Sequence, residues 1–538
     1  MWARRAPVHI ARRLISARQL GTAAAATATA AATNANAKAK APLPVCGQPL
    51  PHTHPHLFPI DFARGTDASA GGGVAHDHIT PGIPASEYEA RRRALMDSLP
   101  SGSVAVLMGG RIKYMSRNIF YRFRQESNFW YLTGLQDPDC MLVLEKNSSA
   151  RGYRMLLFVP PRDTHNEAWD GPICGIDGAT AVFGADEAYA NDPAIMLHHL
   201  QLILSSSSHI YVDLPSQPTV PRQAVRGTRF SIRDFLAPPT PTGMDLFVRK
   251  SDFDTVQRLL GDPRNTRSLV HELDRMRIKK SENELKVMRH AGAISGAAMA
   301  ETMRYAADGM LESEAQAAFE FGCARRGAER QAYVPVFASG RNALMIHYVR
   351  NDAVIPKGSV LSVDAGCEFA GYASDITRTF PTAADGRFSS AQRDLYEALL
   401  ATLKGCTRLA TASQGYSLAQ LHRRSVEMLS AELRRLGFSL RSGTLERVLY
   451  PHYIGHWLGI DLHDTSTVER SRRLEPGMVI TVEPGLYVPD DDAFPAAFRG
   501  LGMRVEDDVA VGYDDNIVLS ADAPKEVADI EAVCAGRI

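Results

Sequence analysis

From Ser86 onward the chain alternates short, nearly continuous apolar runs with stretches that keep a helical period. The segment ASEYEARRRALMDSL reads as a helix. Tyr88, Arg91, Ala94, Leu95 and Leu99 recur at helical spacing, and charges fill the positions between them. The runs SVAVLM, CMLVLE, RMLLFVP and HIYVDLP are short and bounded by loop residues, which predicts strands, and a helix is expected around Ala194–Leu204. Strands mixed with helices over roughly 180 residues predict one α/β domain. The aromatic cluster NFWYLTGL at 128–135 is expected in its core, with a substrate rim as the alternative.

A second region opens at Ser281. Ser281 and Glu284 stand at capping-box spacing, and Val287, Ala291, Ile294 and Ala298 then share one helical face. A long helix here leads into a second α/β unit, with the boundary near 265–280, where GDPRNTRS is turn-rich. Before Ser86 the patterning is lost. Residues 34–85 are dominated by Pro, Gly and Ala, with PHTHPH at 51–56 and GGG at 71–73, as in a linker. His52, His54 and His56 are spaced as ligands could be, but a Pro-rich extended segment makes them linker residues first.

Composition narrows this picture. At 538 residues the chain is too long for one compact core, so two domains plus extensions are expected. Sixty basic residues balance sixty acidic ones, which removes the global positive field of a nucleic-acid binder. Seven scattered cysteines without a CxxC pair predict free thiols in a reducing compartment. No apolar run reaches the ~18 residues of a spanning helix.

The N-terminus departs from the average. No Asp or Glu precedes Asp61, whereas Arg4, Arg5, Arg12, Arg13 and Arg18 crowd the start, Ile10 and Leu14 lie one helical turn apart, and an Ala/Thr-rich stretch follows. That is the composition of a mitochondrial presequence, with a disordered basic tail as the alternative. If processing leaves Arg18 two positions before the new terminus, the intermediate begins at Leu20.

The candidate chemistry centres on SVDAGCEFAGYASDITRTF, residues 362–380. Asp364 and Asp375 flank two glycines, Gly366 and Gly371, that can take the positive φ of a tight reversal. A hairpin centred on Phe369 and Ala370 would place the two aspartates opposite each other, where they repel unless a proton or cation lies between them. PHYIGHWLGIDLHD supplies His452, His456 and His463, GMVITVEPGLYV puts Glu483 at a strand end, and GLGMRVEDDVAV puts Glu506 inside a strand. An acid buried in such runs is costly unless paired or metal-bound. Four carboxylates and one imidazole suit Mn²⁺, Co²⁺ or Zn²⁺, with charge enough for two ions. Two ions roughly 3.5–4 Å apart can share a hydroxide and polarise a scissile carbonyl together.

VDAGCEFAGYASDITRTFP, IGHWLGIDLHD, EPGMVITVEPGLYV and MRVEDD together resemble the signature of the aminopeptidase P (X-prolyl aminopeptidase) branch of the pita-bread metallopeptidases. The resemblance runs from about residue 84 to the C-terminus. It implies an α/β (α+β) chain: an aminopeptidase P-type N-terminal domain over 85–265 and a pita-bread catalytic domain over 270–538, behind a presequence and tail at 1–40 and a linker at 41–84. It implies two divalent metals, manganese foremost. Asp364 would bind one, Asp375 and Glu506 would bridge both, and His456 and Glu483 would complete either side. Glu483 would also handle the hydroxide's proton. His347, His452 and His463 match histidines that contact substrate and stabilise the tetrahedral intermediate, and Arg504 matches an arginine that supports the site.

GQPLPHTHPHL, ITPGIPASEYEARR and NEAWDGPICGIDGA are similar to the organellar, intermediate-cleaving members of that family. They imply removal of one N-terminal residue from imported, presequence-processed proteins on the matrix side of the mitochondrion. The resemblance also implies a homo-oligomer, dimer or tetramer. A general X-Pro aminopeptidase or a prolidase-type dipeptidase would share the five ligands. A methionine aminopeptidase would not need the large domain before Ser281, and a non-catalytic pita-bread interaction module would have lost ligands. GxSxG is absent, and His271-Glu272 is followed by Arg275 where a second HExxH histidine belongs.

Overall fold

The computed structural model describes residues 43–59, 74–214, 260 and 266–536. The presequence-like segment, the Gly/Ala-rich stretch up to residue 73 and most of the long stretch after residue 214 lie outside them.

The N-terminal half is built on the predicted strands. Ser103–Met108, Met141–Lys146, Tyr153–Val159 and His209–Asp213 join Glu187–Ala190 and Thr266–Ser268 in one mixed six-stranded sheet. The strand Ser103–Met108 is buried along its whole length, because helices cover both faces of this sheet centre. Helix Ala85–Ser98 buries Tyr88, Arg91 and Leu95, and helix Pro193–Ser206 is capped by Asp192, whose carboxylate accepts from the Ala194 and Ile195 N–H groups. The aromatic cluster forms the short helix Ser127–Thr133, with Phe129, Trp130, Tyr131 and Leu132 all buried. It belongs to the core.

The catalytic half starts from helix Glu282–Tyr305, whose capping box between Ser281 and Glu284 is formed as its spacing predicts. Helix Glu312–Ala324 packs against it. Two three-stranded antiparallel sheets carry the chemistry. One sets Val360–Asp364 between Val336–Ser339 and Thr377–Pro381; the other sets Asp507–Val511 between Val479–Val482 and Asn516–Val518.

The hairpin expected over 362–380 forms in a different register. The turn is Ala370–Gly371, both with positive φ (47° and 81°), and Phe369 pairs with Tyr372. Two successive positive φ angles make a type I′ hairpin turn, which suits the strands' twist. Asp364 therefore faces Thr377, not Asp375. Gly366 does not turn the chain. It is glycine because a Cβ there would lie 1.9 Å from the Ser374 carbonyl oxygen. Glu506 is not inside a strand either, but in a two-residue break between Gly502–Arg504 and Asp507–Val511. Each candidate carboxylate sits where a strand ends or breaks, which frees it from the fixed facing of a ladder position.

The N-terminal half bears directly on the hairpin tip. The Trp130 ring lies so close to Gly371 that a Cβ there would be 2.7 Å from it, and Trp130 meets Tyr372 edge-on at 5.6 Å. Arg124 pairs with Glu368 at 2.5 Å, while the Tyr372 hydroxyl accepts from Arg91 and donates to Glu284.

Arg378 pins the sheets beneath the site. Wholly buried, it donates to the carbonyls of Thr377, Ala523 and Pro524 and pairs with Asp507 at 2.8 Å. Removing one member of such a pair strands the other's charge. Arg378→Met is therefore expected to destabilise the chain by about 3–5 kcal/mol. A chemical denaturation midpoint equal to that of the parent protein would refute this.

Candidate active site

The fold brings all five predicted ligands into one cavity of about 960 Å³, together with His347, His452, His463 and Arg504. Asp364 ends its strand with its carboxylate between two donors: the Tyr333 hydroxyl at 2.6 Å and the Arg504 guanidinium. Asp375 Oδ1 lies 2.6 Å from the same Tyr333 hydroxyl. That oxygen carries one proton and can satisfy only one of the two carboxylates. Glu506 is held by the Thr377 hydroxyl at 2.6 Å, and the Asp375 N–H donates to Asp508.

His456 is set for metal coordination. Its Nδ1 lies 3.1 Å from the Trp457 carbonyl, which can only accept, so the proton is on Nδ1. In the neutral ring Nε2 is then a bare lone pair. It points at Asp375 Oδ2, 3.3 Å away, and at Glu483 Oε1, 3.9 Å away. Acceptor facing acceptor needs a proton or a cation between. One nitrogen or oxygen from each of Asp375, His456 and Glu506 lies within 4.8 Å of the others. A histidine whose second nitrogen is tied to a carbonyl, beside crowded hard oxygens, fits a divalent-ion centre.

The electrostatics agree. Burial raises the Glu506 carboxyl well above its ordinary range, and the charges of Asp375, Glu483 and Asp364 push it further. Burial likewise lifts Glu483 to about 7, against the pull of His456 and Arg504. Burial pulls His456 down, yet its contact with Asp375 and the charge of Glu483 outweigh that and push it up to about 9. These are the signs of negative charge in excess of local compensation.

The neighbouring histidines differ. Burial and the charge of Arg504 hold His452 down to about 3, so it is neutral. Its Nδ1 donates to the Tyr453 carbonyl, and its Nε2 accepts from the Tyr487 hydroxyl, which in turn accepts from Arg504. Burial and the charge of His456 lower His463, whose ring lies 4.4 Å from that of His456.

Tyr333, Thr377 and Tyr487 were not predicted. Thr377 was within reach of sequence reasoning, being two positions from Asp375 at the start of the next strand. Tyr333 and Tyr487 carry no local signal. Neither does Glu312, which is fully buried and accepts five hydrogen bonds: from Ser339 N and Oγ, Asn342 Nδ2, Tyr348 Oη and Ala353 N. All five donors are neutral, and they run from Ser339, at the end of its strand, to Ala353, on either side of His347 in the chain.

Fold and donor set together define a two-domain metal-dependent hydrolase. Residues 286–512 match metallopeptidase family M24, and residues 88–211 match the aminopeptidase P N-terminal domain. Xaa-Pro aminopeptidase 3 of Mus musculus is 38% identical over 503 residues, 91% of this chain and 90% of the relative. Intermediate cleaving peptidase 55 of Saccharomyces cerevisiae is 36% identical over 90% of this chain and 88% of its own. The crystal structure of Icp55 from that yeast superposes with a TM-score of 0.74 at 34% identity, covering 86% of this chain and all of the yeast chain. Aminopeptidase PepP from Pseudomonas aeruginosa superposes at 0.72 and 34%, over 85% of this chain and 99% of PepP. The chain belongs to metallopeptidase family M24, in its aminopeptidase P branch. It is a metal-dependent aminopeptidase, and the family implies a dinuclear divalent centre.

If Glu312 holds the His347 loop, Glu312→Gln turns an acceptor into a donor facing donors. The variant is expected to lose about 1–3 kcal/mol of stability and to cut peptides with reduced kcat/KM. Parent-like values of both would remove Glu312 from this role.

Proposed function

We propose that this enzyme removes a single N-terminal residue from presequence-processed proteins inside mitochondria. Two Mn²⁺ ions would be held by Asp364, Asp375, His456, Glu483 and Glu506. The observation that carries the metal reading is His456 Nε2 facing two carboxylates while Nδ1 is tied to a backbone carbonyl. When bound, such ions acidify a water and polarise the peptide carbonyl.

The chain's own groups do the rest. Arg504 balances part of the Asp364 charge and, through Tyr487, keeps His452 in one tautomer. Glu483, which lines the cavity beside His456, can take a proton from the attacking water and return it to the departing amine. His463 and His347 line the same cavity, where they can donate to the oxygen of the tetrahedral intermediate. The substrate's free α-amino group sits near the carboxylates, which ties cleavage to the first peptide bond.

Asp375→Asn and His456→Ala are expected to lose peptide turnover while keeping the parent's circular dichroism. Divalent ions should raise the melting temperature of the metal-stripped parent but not that of the variants. Turnover in either variant, or an equal shift, would contradict the ligand set.

The mitochondrial role rests on the acid-free, Arg-rich start and on the intermediate cleaving relatives. Comparing N-terminal proteomes with and without the gene tests it. Imported proteins should carry one extra residue when the enzyme is missing. Unchanged termini, with loss only of X-Pro peptide cleavage, would favour the general X-prolyl reading, which the Xaa-Pro aminopeptidase relatives support.

A further inference from the structure

The strand Val479–Val482 reads VITV, and all four of its residues are buried. Three are apolar. The fourth, Thr481, is wholly buried, where an unbonded hydroxyl is costly and a valine would fill nearly the same space. The hydroxyl is spent on two of the metal-ligand candidates, one on the neighbouring segment and one at the end of its own strand.

The segment that carries His456 runs antiparallel beside this strand, with Trp457 opposite Ile480. At either end the backbone bonds directly. The Glu483 N–H donates to the Ile454 carbonyl at 2.7 Å, and the Leu458 N–H donates to the Val479 carbonyl at 3.1 Å. In the middle the pattern changes. The Thr481 N–H donates to the His456 carbonyl at 3.0 Å, but the return bond from the His456 N–H goes to the Thr481 hydroxyl, also at 3.0 Å. The two segments press together at this point, since a Cβ on Gly455 would lie 2.0 Å from the Thr481 carbonyl oxygen.

Having accepted from His456, the hydroxyl still has its own proton to give. Its acceptor among the described residues is Glu483 Oε1, 3.5 Å away, a long hydrogen bond. The same oxygen faces His456 Nε2 at 3.9 Å, while Oε2 faces His452 Nδ1 at 3.7 Å. The hydroxyl proton therefore favours the carboxylate orientation that turns Oε1 to His456 and leaves Oε2 to His452.

We propose that Thr481 is a positioning residue for the metal centre, its one hydroxyl fixing the His456 backbone and the Glu483 carboxylate relative to each other. The proposal rests on the five-ligand reading and adds to it the group that holds two ligands from different segments in register. Partners that orient metal ligands are commonly worth about 10–100-fold in metal affinity. Thr481 also steadies the carboxylate assigned to the proton of the attacking water, so it bears on turnover as well as on binding.

The test compares Thr481→Val, which keeps the shape and removes the hydroxyl, with Thr481→Ser, which keeps the hydroxyl. Mn²⁺ is titrated into the metal-stripped proteins, and its dissociation constant is read by calorimetry and from the rise in melting temperature. Thr481→Val is expected to weaken Mn²⁺ binding by about tenfold or more, and Thr481→Ser to stay near the parent. At saturating Mn²⁺, Thr481→Val should lower kcat and leave KM unchanged. If the valine variant does not fold, Thr481→Ala set against Thr481→Ser makes the same comparison. A residue that only fills the strand would lower the metal-free melting temperature and leave the Mn²⁺ dissociation constant alone. That result, or an equal loss of affinity in the serine variant, overturns the proposal while leaving the ligand set intact. A parent protein that binds no Mn²⁺ overturns the ligand set, and the proposal with it.

Discussion

Asp364, Asp375, Glu483 and Glu506 crowd into one buried cluster, and the rest of the structure depends on making that tolerable. Like charges so close cannot all ionise in a low-dielectric site without a counter-charge. Arg504 balances part of Asp364, and His456 part of Asp375. The remainder appears as carboxyls pushed upward at Glu506 and Glu483. A pair of divalent cations is the economical complement. The fit to a divalent metal centre therefore follows from one electrostatic imbalance.

Holding that imbalance needs a stiff frame. The four carboxylates leave strand ends and breaks in two separate sheets, so the sheets themselves must be locked together. Arg378 does this from below, joining the strand Thr377–Pro381 to Asp507 and to the backbone at 523–524. From above, Trp130 and Arg124 of the N-terminal half press on the hairpin that joins Asp364 to Asp375. The first domain is thus part of the frame of the metal site.

The hairpin shows where reading the chain succeeded and where it fell short. Its existence, its glycines and its two aspartates were legible, because positive-φ positions between β-prone runs are a local property. Its register was not. Moving the turn one position on, to Ala370–Gly371, sets Asp364 against Thr377, and the aspartates converge through Tyr333 rather than across the ladder. Gly366 was assigned to the turn but is dictated by the backbone of Ser374, a contact that exists only once the strands pair. Glu312 escaped notice for the same reason. A buried carboxylate with five neutral donors arises from segments 27 to 41 positions away.

What the chain determines by itself are properties of short range. These are the helical and strand periods, the capping box at Ser281, the placing of Asp364, Asp375 and Glu483 at the ends or interruptions of strands, and the motif spellings that carry family membership. The tertiary structure alone decides which nitrogen of His456 faces the carboxylates, which carboxylates share a proton donor, and how the first domain braces the metal hairpin. Each of these depends on distances between residues tens or hundreds of positions apart, and burial, charge and hydrogen bonding act through distance in space.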